Sequence, residues 1–319
     1  MTIRITLALL LAVATFVSLP STDALAKPRA RPKPAEQKQV AEPPAQPGRQ
    51  YFATKGVEPL TPEIEQQLKP RDSFKECETC PEMVVIPKGT FMMGTPADEP
   101  YRYANEGPQH RVTIPRPIAV GRFTITFDEW DACVADGGCN GKGDDRGFGR
   151  IRMPANGITF EGTKAYLAWL SKKLGRTYRL PSESEREYFT RAGSTTPFWF
   201  GKTITMQNAN YDATNNYPGG PYGTSSKGPK PVDAYLPNKF GLYQVVGNAQ
   251  EWVADCYNKY FNPDAPTDGS PWLEGDCDKR ILRSGGWMGS AHMQRSGYRS
   301  EMNPVAGYSF RVVRDVQIP

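Results

Sequence analysis

Apolar side chains recur every three or four positions in one stretch of the chain, residues 161–174. They are Tyr166, Leu167, Leu170 and Leu174. This spacing places them on one face of a helix. Gly175 follows directly, and glycine suits the left-handed backbone that ends many helices. The stretch is therefore predicted to be an amphipathic helix.

Two capping boxes predict the starts of two further helices. Thr126 is followed three residues later by Glu129, and Ser182 is followed in the same way by Glu185. In this motif the hydroxyl accepts from the third helical N–H, and the glutamate accepts from the backbone N–H of the cap. A short helix is expected after each cap.

Strand-like segments are short and are separated by glycine and proline. Residues 82–95 contain two apolar runs broken by Pro-Lys-Gly at 87–89, and this pattern predicts a β-hairpin. Residues 110–127 contain further strand-like runs. Few helices, short strands and many loops together predict an α+β domain with much irregular backbone.

The glycine-rich residues 136–156 are predicted to be a loop. Its Asp144–Asp145 pair is expected to form a solvated turn. A cation site is the alternative, but calcium needs six or more oxygen ligands.

The first 26 residues have the pattern of a secretory signal peptide. A positive start at Arg4 precedes an apolar run over residues 5–19, and Ala24-Leu25-Ala26 resembles a cleavage site. The run is shorter than the roughly 20 residues that a spanning helix needs. We expect cleavage near Ala26 and a secreted or periplasmic protein without a transmembrane segment, the alternative being an uncleaved anchor.

The basic character of the chain is concentrated in one short segment. Residues 27–50 carry six Lys/Arg against two Glu, which accounts for +4 of the net charge of +5. We expect residues 27–75 to be a proline-rich basic linker and lead-in, and residues 76–319 to be the folded domain. The nearly neutral domain argues against nucleic-acid binding. The linker's charge suits an anionic envelope surface, although a solvated tether is the simpler role.

Six cysteines in an exported protein indicate disulfides. Nearness in sequence suggests Cys77–Cys80, Cys133–Cys139 and Cys256–Cys277. A redox role for the CxxC pair would need a helix opening after a strand, whereas Pro81 and a strand-like run follow here. Zinc is disfavoured because no histidine lies near these cysteines.

Several stretches of the chain, in order and spacing, resemble the formylglycine-generating enzyme, or sulfatase-modifying factor, family. They are residues 82–95, 176–185 (RTYRLPSESE), 231–256 (PVDAYLPNKFGLYQVVGNAQEWVADC), 283–287 (RSGGW) with Arg295 and Arg299 beyond it, and 309–314 (SFRVVR). The resemblance spans about residues 80–315. It implies the mixed, C-type-lectin-like fold of that family.

The family's copper chemistry, by contrast, is not expected. The resemblance places two copper-binding cysteines in the segment after the Gly-Gly-Trp motif, and Cu(I) requires such soft ligands. Here that segment reads MGSAHMQRSGYR, and Gly289 and Gln294 stand nearest to the two positions. The chain is therefore predicted to lack copper and is a candidate pseudoenzyme.

Two other positions depart from the family pattern. Gln250 stands where the Asn-Val-Trp-Glu-Trp motif has an aromatic residue, and Arg186 stands at a tryptophan position. Both changes replace a large apolar surface with a polar one. Either these positions are exposed, or the groove has been rebuilt for a different ligand.

The resemblance also implies a structural calcium ion in the loop after residue 243. Its ligands would come from Gln244, Gly247, Ala249 and Glu251. Backbone carbonyls with one carboxylate suit calcium. In the alternative reading, Glu251 pairs with an arginine and no metal binds.

The first functional hypothesis is a binding or accessory protein. Its ligand, a peptide, a glycan or a partner protein, would lie in a groove formed by Trp252, Trp287, His292, Arg295 and Arg299. Arginines beside aromatic side chains suit acidic or π-face recognition. The alternative for Arg295 and Arg299 is structural pairing beneath the loop.

The second hypothesis is a non-copper modifying enzyme, such as an oxidoreductase. Periplasmic family members that mature siderophore chromophores are similar in being exported and in lacking the cysteine pair. His292 would then act as acid or base, with Arg295 and Trp287 positioning the substrate.

Overall fold

The computed structural model describes residues 53–318, with side chains from Val57 onward. The predicted signal peptide and the basic stretch 27–50 lie outside the described residues. Within the described part, every helix is too short or too polar to cross a membrane.

Four α-helices and twelve short strands make up the regular structure of the described residues. The helices are α1 (Pro62–Gln66), α2 (Phe127–Ala135), α3 (Phe160–Leu174) and α4 (Glu183–Arg191). The strands are β1 (Ala53–Val57), β2 (Ser73–Lys75), β3 (Met83–Ile86), β4 (Gly89–Met93), β5 (His110–Ile114), β6 (Ile118–Gly121), β7 (Tyr178–Arg179), β8 (Glu251–Tyr257), β9 (Asp276–Arg283), β10 (Arg299–Met302), β11 (Ser309–Phe310) and β12 (Val313–Asp315). The α+β prediction is confirmed.

The predicted helix starts are confirmed. Thr126 and Ser182 cap α2 and α4, each in a reciprocal capping box with the glutamate three residues on. Helix α3 ends at Gly175, whose φ of 64° is left-handed. Local side-chain chemistry alone determines these boundaries, which is why the sequence predicts them well.

The strands form three sheets, of orders β1-β2-β3-β6-β12-β7, β10-β9-β8-β11 and β4-β5. The predicted hairpin over residues 82–95 is wrong, because β3 and β4 belong to different sheets. Every residue of β3 is buried, and the strand pairs with β2 on one side and β6 on the other. In β4 partly buried and exposed positions alternate up to the buried Met93, and the strand pairs with β5.

The six-stranded sheet carries an apolar core on each face. In β3, Met83 and Val85 join one cluster, while Val84 and Ile86 join the other. Alternate residues of a strand point to opposite faces, so a strand buried on both sides reads as a continuous apolar run.

The folded part begins before residue 76, which corrects the predicted domain boundary. Strand β2 pairs with β3, and α1 places Glu65 in the interior. Arg314 donates to both carboxylate oxygens of Glu65, at 3.0 and 2.9 Å. The lead-in therefore completes the central sheet.

Three disulfides join Cys77 to Cys80, Cys133 to Cys139 and Cys256 to Cys277. These are the pairs that nearness in sequence suggests, and no cysteine is free.

Replacing Glu65 with alanine is expected to destabilise the fold by about 3–5 kcal/mol, because Arg314 would stay buried without its closest carboxylate. Denaturant unfolding measures this loss. Glu58→Ala, at an exposed position of the same lead-in, is the control and should change the free energy of unfolding by less than about 0.5 kcal/mol. Equally small effects would contradict the inclusion of the lead-in.

Candidate functional site

The arginines of residues 283–299 are structural. Arg295 is buried and donates to Glu99 at 2.9 Å and to Glu106 at 2.6 Å. Arg299 is also buried and forms a two-pronged ion pair with Glu183. Their predicted place in a ligand groove is wrong, because both guanidinium groups form buried ion pairs inside the protein.

Trp252 is likewise part of the core. Its ring has no exposed surface and contacts Phe160 and Tyr308 edge-on. Its indole N–H donates to the carbonyl of Ile158 at 3.0 Å. The prediction that Trp252 lines a groove is therefore wrong as well.

Trp287 lies beside a pocket of about 320 Å³. The pocket is lined by Phe127, Asp144, Asp145, Arg146, Phe148, Gly149, Met153, Pro154, Asn156, Pro229, Asn248, Ala249, Gln250, Gly285, Gly286, Trp287, Met288, Ala306, Gly307, Tyr308 and Ser309. Phe148 meets Trp287 edge to face, with the ring centroids 5.7 Å apart. We call this cavity the Trp287 pocket.

The turn that carries Trp287 is tied down by one amide. Gln294 donates from Nε2 to the carbonyls of Gly286 and Gly289, at 3.1 and 3.0 Å. The turn is too tight for larger residues, since a Cβ on Gly289 would lie 2.2 Å from the Gly285 oxygen. At the two positions where the resemblance implies thiols, the chain therefore has a glycine and a structural amide.

Three of the residues that line the Trp287 pocket have polar side-chain groups without a hydrogen-bond partner among the described residues. The Gln250 side chain makes no hydrogen bond to any described residue, and neither does the Tyr308 hydroxyl. Ser309 is fully buried and its Oγ has no partner. An apolar cavity with a few convergent polar groups is the usual form of a small-ligand site.

The charged residues of the pocket lie in one loop. Asp144 accepts from the backbone N–H of Arg146 at 2.9 Å, and Asp145 accepts from that of Gly147 at 3.0 Å. Asp144 and Arg146 are exposed. The predicted solvated turn is thus observed, and it forms part of the pocket.

His292 lies outside the Trp287 pocket, in a second cleft with Tyr101, Tyr103 and their neighbours. Its Nε2 lies 3.0 Å from the Tyr103 hydroxyl, and its Nδ1 lies 3.1 Å from Ser290 Oγ. Burial, with a smaller effect from Arg295, lowers the pKa of His292, so the ring is neutral near pH 7. The five predicted groove residues therefore do not share one site.

The sequence pointed to Trp287 but missed Phe148, Tyr308 and Ser309. These residues come from loops and a two-residue strand far apart in the chain, and they have no shared spacing. The one usable signal was Gln250, whose departure from the family motif suggested a rebuilt groove.

The loop residues do not fit the calcium ion that the resemblance implies. Glu251 is fully buried and accepts from Arg186 at 2.8 Å, from Arg311 at 3.1 Å and from Thr124 at 2.6 Å. Burial alone would raise the pKa of Glu251, but Arg186 and Arg311 outweigh burial and lower it. The carboxylate is therefore ionised, and the two guanidinium groups balance its negative charge.

The other side-chain ligand of the predicted set is also engaged. Gln244 Oε1 accepts from Asn248, and its Nε2 donates to the Pro231 carbonyl at 2.6 Å. Gly247 and Ala249 would be left to offer backbone carbonyls alone. Calcium at this loop stays a prediction, and the removal of divalent cations described below tests it.

Comparison with known proteins establishes the family. Residues 69–316 match the model described as the sulfatase-modifying factor enzyme 1-like domain. The chain therefore belongs to this family, as its motifs indicate.

Three similar proteins illustrate the range of the family. The solved structure of PvdO from Pseudomonas aeruginosa aligns with a TM-score of 0.68 and 40% identity, covering 78% of this chain and 99% of that one. Hercynine oxygenase of Mycolicibacterium smegmatis is 28% identical over 72% of this chain and 60% of its own length. The inactive Cα-formylglycine-generating enzyme 2 of Bos taurus is 25% identical over 66% and 77%. The chain spans between 40% and 60% of the length of the first curated relatives.

Removal of divalent cations is expected to leave the thermal unfolding midpoint unchanged, because two guanidinium groups already neutralise Glu251. Differential scanning fluorimetry with EDTA, followed by excess calcium chloride, measures this. A fall of several degrees that calcium reverses would contradict this account of Glu251.

Proposed function

We propose that this family member is an exported binding or accessory protein, and that the Trp287 pocket holds its ligand. One observation carries the proposal. By resemblance, the family's copper-binding cysteines belong to the segment around and after Trp287. In this chain that segment lines a cavity of about 320 Å³, and no free thiol lines it. Such a volume is at the lower end of the range for small-ligand sites.

The walls of the pocket favour a ligand with planar groups. Aromatic surface comes from Trp287, Phe148 and Tyr308. The side-chain amides of Asn156 and Gln250 can form hydrogen bonds with the backbone of a peptide ligand. A peptide or peptide-like molecule fits this set better than a glycan or a broad protein surface, because the recess is small and amide-lined.

Export of the protein rests on the signal-peptide pattern and on the disulfides, which suit an oxidising compartment.

A second candidate is a non-copper enzyme that modifies its ligand in the same pocket. The 40% identity to PvdO over nearly all of that chain, and a relative named as an oxygenase, support it. So does the resemblance to periplasmic members that mature siderophore chromophores. The reaction would be a two-electron oxidation of the bound ring, with two hydrogens passing to dioxygen to give hydrogen peroxide.

The acid–base residue of this second candidate must differ from the one first predicted. His292 and Arg295 do not line the Trp287 pocket. Asp144 and Asp145 do, and a carboxylate at the mouth can accept a proton from a bound ring.

Trp287→Ala is expected to weaken ligand binding at least about tenfold without unfolding the protein, since it removes one aromatic wall of the pocket. Selection from a phage-displayed peptide library, followed by calorimetry with the selected peptides, measures this. Trp199→Ala, at a partly exposed tryptophan outside the pocket, is the control. Peptides that bind both variants equally would place the binding site elsewhere.

The enzyme candidate predicts oxygen uptake when the protein meets a siderophore precursor with an unoxidised chromophore. An oxygen electrode and the absorbance of the product measure this. Asp144→Asn with Asp145→Asn should lower the rate at least about a hundredfold if either carboxylate is the base. If the double variant keeps the wild-type rate, or if only His292→Ala abolishes the rate, the assignment of the base to Asp144 or Asp145 is wrong.

A further inference from the structure

Residues 145–149 form an outer wall of the Trp287 pocket, and we call them the tip. Four of these five residues line the pocket. Phe148 is 41% exposed, and the glycines on either side of it are exposed as well. The backbone N–H groups of Gly147 and Phe148 donate back to Asp145, at 3.0 and 2.9 Å, so these hydrogen bonds stay within the tip.

Both ends of the tip are anchored to the protein. Before it, the backbone N–H of Asp144 donates to the carbonyl of Asn156 at 2.7 Å. After it, Arg150 donates to both carboxylate oxygens of Asp131, at 2.5 and 3.1 Å. The Arg150 guanidinium also lies over the ring of Phe127, 4.0 Å from its centroid. The two anchors confine any movement to the residues between them.

The ring of Phe148 fastens the tip to the opposite side of the pocket. It meets Trp287 edge to face, with the centroids 5.7 Å apart. It also lies against Gly228, where an added Cβ would be 2.5 Å from the Phe148 ring. A single aromatic pair adds little beyond the area that it buries. This contact can therefore break and form again while both anchors hold.

The backbone on both sides of Phe148 is left-handed. The φ angles of Gly147 and Gly149 are 75° and 86°. A Cβ added to either glycine would meet nothing within 4 Å, so the backbone rather than packing requires glycine here. Glycine also adopts other backbone conformations at little steric cost. The ring of Phe148 is thus carried between two points at which the chain can bend.

We propose that the tip is a lid on the Trp287 pocket and that Phe148 is its latch. The closed lid is the arrangement described above, with the latch against Trp287 and Gly228. A ligand enters when the latch leaves Trp287, and it is enclosed when the latch returns. Lids of this kind set the rates at which ligands enter and leave a site. This inference rests on the proposed function, since it describes how the same pocket is opened.

Fluorine NMR of the ligand-free, full-length exported protein tests the lid. The protein is labelled with 5-fluorotryptophan, and the ¹⁹F resonance of Trp287 is identified by its loss in Trp287→Phe. Phe148→Ala gives the resonance position of an unlatched pocket. Gly149→Ala keeps the latch but strains the closed backbone, so it should raise the open fraction about fivefold. Relaxation dispersion of the Trp287 resonance measures that fraction.

Gly141→Ala is the matched control. Gly141 belongs to the same glycine-rich loop, has a φ of 79° and has open space at its Cβ, but it does not line the pocket. The substitution should strain the backbone to a similar degree and leave the open fraction unchanged. A wild-type Trp287 resonance without exchange, or an open fraction that Gly149→Ala does not raise above that of Gly141→Ala, would overturn the lid.

Binding rates distinguish a lid from a fixed wall. Stopped-flow fluorescence is measured with a peptide whose binding depends on Trp287. Gly149→Ala should raise the association rate constant about fivefold, because entry waits for the open lid. Loss of a contact with a fixed wall would change mainly the dissociation rate. Faster dissociation in Phe148→Ala, with an unchanged association rate in both variants, would contradict gating.

The outcomes separate this inference from the proposed function. Peptides that bind with unchanged association rates overturn the gating and leave the proposed function standing. The absence of any binding peptide overturns the proposed function, while the ¹⁹F measurement alone decides whether the lid opens.

Discussion

A wholly buried yet charged helix organises this fold. All nine residues of α4 are buried, and five of them are charged. Arg283 donates to Glu183 and Glu187, and Arg186 donates to Glu251 on β8. Removing one partner from such a network leaves an uncompensated charge in the interior, which is strongly destabilising. The sheets and loops around α4 are therefore constrained to supply the matching charges.

This constraint explains why the candidate site is small and lies where it does. The two arginines after Trp287 point into the interior, where Arg295 pairs with Glu106 and Arg299 pairs with Glu183. The side-chain amide of Gln294 stabilises the tight turn before them. Trp287 is left at the surface of the turn, facing loops that come from elsewhere in the chain. The scaffold of the family is thus kept, while the wall of the pocket consists of neutral and aromatic groups apart from the charged loop residues Asp144, Asp145 and Arg146.

Local chemistry made the helices, their caps and the disulfide pairs predictable. The fold followed from the family motifs. The pairing of β3 with β6 rather than β4 could not be read from residues 82–95, because an apolar run does not say which strand lies beside it. Nor could the burial of Arg295 and Arg299, since arginine is usually exposed and their partners lie more than a hundred residues away. The pocket was predictable only at Trp287 and, by its departure from the motif, at Gln250.

The central claim is that ligands enter the pocket at Trp287 rather than the cleft at His292. Two-dimensional ¹H–¹⁵N NMR of the protein with a peptide selected from the library tests it most directly. The account predicts that the indole N–H of Trp287 and the side-chain amide of Gln250 shift with ligand, while the backbone amides of Tyr101 and His292 do not. Shifts centred on Tyr101 and His292, with Trp287 unchanged, would contradict it.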